Sequence, residues 1–138
     1  MEPALFNCNY SAIFGRKISG FAVPFTYYSD LIAECARESG FEYARMSQFS
    51  GSYAPCRDRY YWKTGVYHIQ PQLVDFVVGF LRTDQELAVC QIVGHSYDLD
   101  TENLWGTVEL ICAAVAGQND IWPCTNDCNR KSSYRCDW

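Results

Sequence analysis

The second of the chain's two histidines, His95, lies where a catalytic group is expected. It directly follows residues 87–94, LAVCQIVG, an apolar run that predicts a buried strand ending at Gly94. In parallel α/β sheets the functional groups gather at the carboxyl ends of the strands. An imidazole in that position can exchange a proton near neutral pH, so His95 is a candidate general acid or base. A histidine between a strand and a loop is also often purely structural, and position alone favours that interpretation.

Two acids, Asp98 and Asp100, follow His95 at short spacing. They could orient an imidazole or bind a cation. We prefer the simpler interpretation, in which they act with Thr101 and Glu102 to favour the start of a following helix. Negative charge near a helix N-terminus is stabilised by the helix dipole.

The other histidine, His68, lies in residues 47–70, a segment rich in Tyr, Ser, Gly and Arg with no clean hydrophobic period. Its aromatic neighbours are Tyr60, Tyr61, Trp62 and Tyr67. Aromatic loops of this kind can stack on sugar rings, and they can also simply cover the end of a barrel. Both interpretations remain open. A loop this long inside a compact domain is often functional.

Metal-binding patterns are weak in this chain. A catalytic zinc site usually needs three protein ligands, and the two histidines are far apart, with no HxxxH or HExxH spacing. Cys124, Cys128 and Cys136 could form a zinc knuckle, but their spacing is a weak signal. Glycine-rich nucleotide motifs and the GxSxG motif are absent from the sequence. We therefore assign no metal ligands and no bound cofactor to this chain.

Composition limits the partners that the chain can be expected to bind. The net charge is −5 and Lys and Arg form no stripe, which argues against nucleic acid, because phosphate binding needs concentrated positive charge. No apolar run approaches the roughly 20 residues that span a bilayer, and we expect no membrane partner. The segment MEPALFNCNY lacks a signal-peptide pattern, so we expect a cytoplasmic protein. Several of the eight cysteines lie in apolar segments, which predicts reduced, mostly structural thiols.

Predicted strands and helices alternate along the chain. Residues 18–25 predict a strand stopped at Pro24, and Ser29 predicts the N-cap of a helix that ends at Gly40. The segments that follow are strand 41–46, a helix starting near Pro71, strand 87–94, a helix opened by Thr101 and closed by Gly117, and a short strand 121–124.

This alternation is typical of α/β proteins with a parallel sheet, and we expect one domain over residues 1–138. In the first helix the expected apolar stripe is Leu31, Ile32, Cys35 and Ala36. In the last helix the positions expected to face inward are Leu104, Trp105, Val108, Ile111, Cys112 and Val115.

Three segments together carry a resemblance to a known family. They are ISGFAVPFTYYSDLIAECARESGFEYARM, QPQLVDFVVGFL and VGHSYDLDTENLWGTVELICAAVAGQNDIWPCTN. Each resembles a stretch of the polysaccharide deacetylases, carbohydrate esterases with the NodB-homology fold. Members show a "YPFG.YSDE" segment, then "G..YAR", "GHSYE.D" and "..DIW.ATN". Order and spacing match from residue 16 to about residue 126.

The resemblance implies a distorted (β/α) barrel that removes N-acetyl groups from amino-sugar polymers. In the family, a divalent metal (zinc) held by an Asp and two His activates water, an Asp acts as base, and a late His protonates the leaving amine. By this resemblance His95 matches the proton-donating histidine. Pro24 and Phe25 match the segment that lines the substrate groove, and Tyr97 and Trp122 match positions near the substrate.

The chain departs from the family in several places. The paired-aspartate motif and the metal-binding His-rich motif, which lie N-terminal to everything matched here, are absent. Val23 replaces the usual aromatic residue and Thr26 replaces a glycine. A closed barrel takes about 250 residues. We therefore expect a partial (β/α) barrel that corresponds to the C-terminal part of a deacetylase, with a divergent tail at 127–138 and no activity on its own.

Two binding functions are alternatives to a deacetylase relative. The chain could be a non-catalytic carbohydrate-binding or interaction protein that keeps the aromatic groove and self-associates through unpaired strand edges. The segment NDCNRKSSYRCDW also resembles the end of C-type lectin-like domains, which would demand disulfides. The alternation of helices and strands argues against that loop-rich fold.

Overall fold

The computed structural model describes residues 11–24 and 28–127, and within them it is a mixed α/β structure. The main strands are β1 (Gly20–Ala22), β2 (Tyr43–Phe49), β3 (Trp62–Thr64), β4 (Val66–Tyr67) and β5 (Ile92–Val93). The main helices are α1 (Asp30–Glu38), α2 (Leu73–Leu81), α3 (Ser96–Thr101) and α4 (Trp105–Val115). Contacts divide the described residues into two compact units. The first unit contains residues 11–24, 28–48, 56–63 and 123–127, and the second contains residues 49–55 and 64–122.

The sheets confirm the α/β class in its coarse form. One has the strand order β1-β2-β3 and the other consists of β4 and β5, and neither closes into a barrel in the described ranges. β1 pairs with β2 and β4 pairs with β5, both in parallel. The expected single domain over residues 1–138 stays a prediction.

Helix α1 of the first unit follows its local signals closely. The Ser29 hydroxyl accepts a hydrogen bond from the Ile32 N–H, and Gly40, at φ 78°, follows the helix end as predicted. The expected stripe is partly wrong: Leu31 is 71% exposed, and Ala33 and Ala36 are the buried positions. The core of this unit consists of Val23, Ala36, Phe41, Ala44 and Met46.

Several segments differ from what the sequence predicts. The segment 47–70, expected to be irregular, contains the end of β2 and also β3 and β4. Of the expected strand 87–94, only Ile92–Val93 pairs, because its partner β4 is two residues long. No strand forms at 121–124. The core of the second unit consists of Val66, Leu73, Phe76 and Val77.

The helix expected from Thr101 to Gly117 starts later, at Trp105, and a separate helix, α3, precedes it. Thr101 ends α3 rather than starting a helix, and Asn103, at φ 53°, interrupts the chain before α4. Asn tolerates this left-handed conformation better than most residues. The expected inward stripe is partly wrong, because Trp105 is 50% exposed and Cys112 is also exposed. Its other positions, Leu104, Val108, Ile111 and Val115, are half-buried, and Ile111 packs against the core of the second unit.

Two further sequence predictions concern thiols and membranes. In the described ranges Cys35, Cys56, Cys90 and Cys112 are free thiols. Cys128 and Cys136, which the zinc-knuckle and lectin interpretations require, lie outside the described residues. None of the helices that the structure describes is both long and apolar enough to cross a bilayer.

Candidate functional site

The candidate site of the second unit starts from the pairing of two short strands. β4 and β5 are parallel, with Val66 opposite Ile92 and Tyr67 opposite Val93. Their carboxyl ends therefore lie at the same edge. The N–H of the next residue, His68, donates to the Val93 carbonyl at 2.9 Å, which extends the pairing by one step. The residues after both strands are thereby brought together, as is usual for sites in parallel sheets.

Helix α3 returns a carboxylate to this edge. His95 is its N-cap, with extended backbone (φ −121°, ψ 143°), and its side chain makes no capping bond. The Asp98 N–H donates to the His95 carbonyl at 3.1 Å, so Asp98 lies in the first turn. Asp98, expected to precede a helix opened by Thr101, lies instead in the first turn of α3, which ends at Thr101, and its side chain has a further role.

The Asp98 carboxylate is the centre of a hydrogen-bond network. Its Oδ2 accepts a bond from the Tyr67 hydroxyl and lies 3.1 Å from Nε2 of His68. Because an ionised carboxylate only accepts, Nε2 of His68 is the donor. The side chains of His68 and Asp98 are 8% and 13% exposed. This is a largely buried carboxylate with two donors on it.

Gly94 provides the space that the His68 imidazole occupies. A Cβ built on Gly94 would lie 2.2 Å from Nδ1 and 2.4 Å from Cγ of His68. Any side chain at this position would therefore displace the ring. Gly94, which follows β5, is therefore needed because a side chain at this position would collide with His68, which follows β4.

Protonation equilibria reflect the network. The hydrogen bond from Tyr67, then that from His68, lowers the pKa of Asp98, and positive charge on His68 or His95 lowers it further, whereas burial opposes these effects. The hydrogen bond to Asp98, burial and the charge of Asp98 raise the pKa of Tyr67 to about 12. Near neutral pH the carboxylate is therefore ionised and the phenol is protonated.

His95 lies outside the buried network but against it. Its imidazole is stacked on the Tyr97 ring, with centroids 5.0 Å apart and planes 7° apart. The Tyr67 ring lies edge-on to it at 6.0 Å and 82°. Since His95 is exposed, it is the member of the cluster that can exchange a proton with a bound molecule.

The predicted site residues divide between the two units. His95 and Tyr97 come together, and Tyr97 is 62% exposed. Trp122 is exposed at the end of the same unit, and Pro24 is exposed in the other unit. Phe25 and Thr26 lie outside the described residues.

Sequence reasoning missed the roles of His68 and Asp98. One signal was present: Trp62, Thr64, Val66 and His68 are all buried at a spacing of two, as one face of a strand is. A histidine that continues a buried face needs a hydrogen-bond partner. Asp98 could not be identified as that partner without knowing which strands pair.

The residues that the structure describes contain no group of three or more His, Cys, Asp and Glu side chains that could hold a metal ion. Comparisons with known proteins add no relative: no family model, no curated protein and no solved structure matches the chain. The resemblance to polysaccharide deacetylases therefore stays a prediction.

Proposed function

We propose that this chain is a polysaccharide deacetylase-like protein, related to metal-dependent hydrolases of N-acetyl groups on amino-sugar polymers, with His95 as its proton donor. The observation that supports this most strongly is the place of His95, an exposed imidazole after β5 that lies against a network centred on an ionised carboxylate. Cleavage of an acetamide needs a proton on the leaving amine, and an exposed imidazole can supply it.

Electrostatics support the same role. Positive charge on His95 is one of the effects that lower the pKa of Asp98, so the imidazole and the carboxylate interact electrostatically. A proton donor that becomes neutral on giving up its proton fits a leaving group that accumulates negative charge.

The finer fold belongs to the proposal as well. Parallel pairs β1–β2 and β4–β5, with helices between and after the strands, are compatible with a partial (β/α) barrel of the deacetylase type. Location of the titratable cluster at carboxyl strand ends agrees with where such barrels place their sites.

We further propose that the chain does not release acetate by itself. The family's metal set is an Asp and two His, and this chain has two histidines in all. If His95 is the proton donor, His68 alone remains, and it is already bonded to Asp98. A proton donor without a metal or a base does not generate the attacking hydroxide.

The test is incubation of the purified chain with a chitooligosaccharide and zinc, with NMR detection of both acetate and ligand-induced shifts. We expect shifts at His95 and Tyr97 without acetate release. Robust acetate release would contradict the inactivity of the chain alone. An oligosaccharide that leaves both residues unshifted would contradict the carbohydrate assignment.

A second candidate function is non-catalytic carbohydrate binding, and the exposed ring of Tyr97 favours it. A rigid aromatic face that is stacked on one side and open on the other is suited to a sugar ring. In that case His95→Gln keeps the affinity and Tyr97→Ala loses it. If His95 is the proton donor and contacts the amide, both variants weaken binding.

Self-association is part of the same proposal. The sheet of β4 and β5 consists of two strands in the described ranges, and short sheets of this kind leave edges that another chain can cover. Size-exclusion chromatography with light scattering measures this, and a monomer at all concentrations would contradict it.

A further inference from the structure

We infer that Asp98 and Tyr67 are positioning residues for His95: the carboxylate holds the Tyr67 ring, and that ring holds the imidazole. The catalytic meaning of this inference rests on the proposed function, whereas the positions themselves do not. It differs from a direct relay, since Asp98 bonds to Tyr67 and His68 and acts on His95 through the Tyr67 ring.

The first step is that Asp98 is fixed in place. Its backbone belongs to the first turn of α3, and its Oδ2 is held by donors from Tyr67 and His68. His68 in turn has little freedom, because its ring lies directly on the Gly94 backbone and its N–H is bonded to Val93. The carboxylate is thus tied to the carboxyl ends of both strands.

The second step is that the fixed Asp98 carboxylate holds the Tyr67 ring in one orientation. Its hydroxyl is held by Asp98, and its ring is stacked on Phe49 at 6.0 Å, with planes 9° apart, and on His68 at 5.1 Å. A ring held at its hydroxyl and on its faces keeps one orientation. The remaining edge contact of this ring is with His95.

The third step is that the two tyrosines beside His95 are not equivalent. Tyr67 is hydrogen-bonded to a largely buried carboxylate, whereas Tyr97, which is stacked on the imidazole, is 62% exposed. The orientation of His95 therefore depends on the Tyr67 side. Tyr67 at the end of β4 and Tyr97 of α3 have ring contacts with His95, and Asp98 of α3 interacts with it electrostatically.

The experiment records imidazole signals of the full chain by NMR. With two histidines in the sequence, two Cε1–H signals are expected, and His95→Gln identifies one of them. Tyr67→Phe removes the hydroxyl that donates to Asp98 and keeps the ring. Tyr53→Phe is the matched control, because it removes from the same unit a hydroxyl that donates to the Phe76 carbonyl at 2.6 Å.

In the wild-type chain we expect a nuclear Overhauser effect between the rings of His95 and Tyr67. Tyr67→Phe and Asp98→Asn are expected to remove or weaken it and to shift the His95 signal, and Tyr53→Phe is expected to leave both unchanged.

A His95 signal that is identical in the wild-type, Tyr67→Phe and Asp98→Asn chains would overturn the inference. A Tyr67→Phe chain that unfolds while Tyr53→Phe stays folded would also overturn it, by assigning the hydroxyl to stability. Addition of a chitooligosaccharide tests the proposed function separately from the positioning of His95. If it shifts no signal of the wild-type chain, the proposed function fails, while the variants still show whether Asp98 and Tyr67 position His95.

Discussion

Val23 and His68 take the same place beside two different pairs of parallel strands. The Val23 N–H donates to the carbonyl of Arg45, the last residue of β2 paired with β1, at 2.9 Å. The His68 N–H donates to the carbonyl of Val93, the last residue of β5 paired with β4, at the same distance. Both residues are buried, at 4% and 7% exposed.

The surroundings of these two residues differ completely. Val23 packs in an apolar cluster with Ala36, Phe41, Ala44 and Met46. His68 meets the Asp98 carboxylate and the Tyr67 ring. The carboxyl end of a parallel strand is therefore not a site by itself. The candidate site forms at this edge because α3 starts three residues after β5 and brings the Asp98 carboxylate to it.

The largest effect is expected from a charge at the apolar member of the pair. Val23→Asp places a carboxylate among the apolar side chains of this cluster, and we expect a loss of about 3 to 5 kcal/mol in the free energy of unfolding, typical of an uncompensated buried charge. Ala22→Asp, at the exposed neighbouring position, is the control and should lose less than about 1 kcal/mol. Chemical denaturation measures both, and equal losses would show that the position after β1 is not distinctive.

A smaller effect is expected from a methyl group beneath His68. Gly94→Ala forces the imidazole to move, and we expect a loss of about 1 to 3 kcal/mol, as for overpacked interiors. Gly106→Ala in the first turn of α4 meets no atom within 4 Å and should gain up to about 1 kcal/mol. Chemical denaturation of both variants measures these changes in the free energy of unfolding. A Gly94→Ala chain as stable as Gly106→Ala would contradict the close approach of His68.

At alkaline pH the network should make a modest, specific contribution to stability. The pKa of Tyr67 is raised from 10.0 to about 12 in the folded chain, so the unfolded chain loses this proton first. The contribution is fully present below pH 10.0 and is lost as the pH rises to about 12. The difference in unfolding free energy between the wild-type and Tyr67→Phe chains should therefore shrink over this range. A constant difference would mean that the hydroxyl titrates alike in both states.

Local signals predicted some elements of the fold well. Ser29 and Gly40 bound α1 because capping and a positive φ depend on neighbouring residues only. β4 was not predicted, because a two-residue strand exists only through its distant partner, Ile92–Val93. The interruption at Asn103 was also not predicted, since Asn is compatible with a helix as well as with the left-handed turn it adopts.

In the candidate site, too, features that depend on neighbouring residues could be predicted and features that depend on strand pairing could not. His95 could be placed from the strand that precedes it, and the structure finds it exposed after β5. The bond between His68 and Asp98 joins residues 30 positions apart, and only the pairing of β4 with β5 brings them together. The sequence therefore identified His95 as a member of the cluster, whereas it indicated only a helix-start role for Asp98.

The titration of Asp98 tests the account most directly, because the whole cluster is organised around its charge. Carboxyl NMR of the full chain should give a pKa for Asp98 below its ordinary value of 3.8. Tyr67→Phe should raise it most, His68→Gln next and His95→Gln least, in the order of their contributions. Because the folded pKa is lowered, the stabilisation is present above the unfolded pKa and is lost as the pH falls through the folded value. An Asp98 that titrates in its ordinary range, unmoved by Tyr67→Phe, would contradict the account.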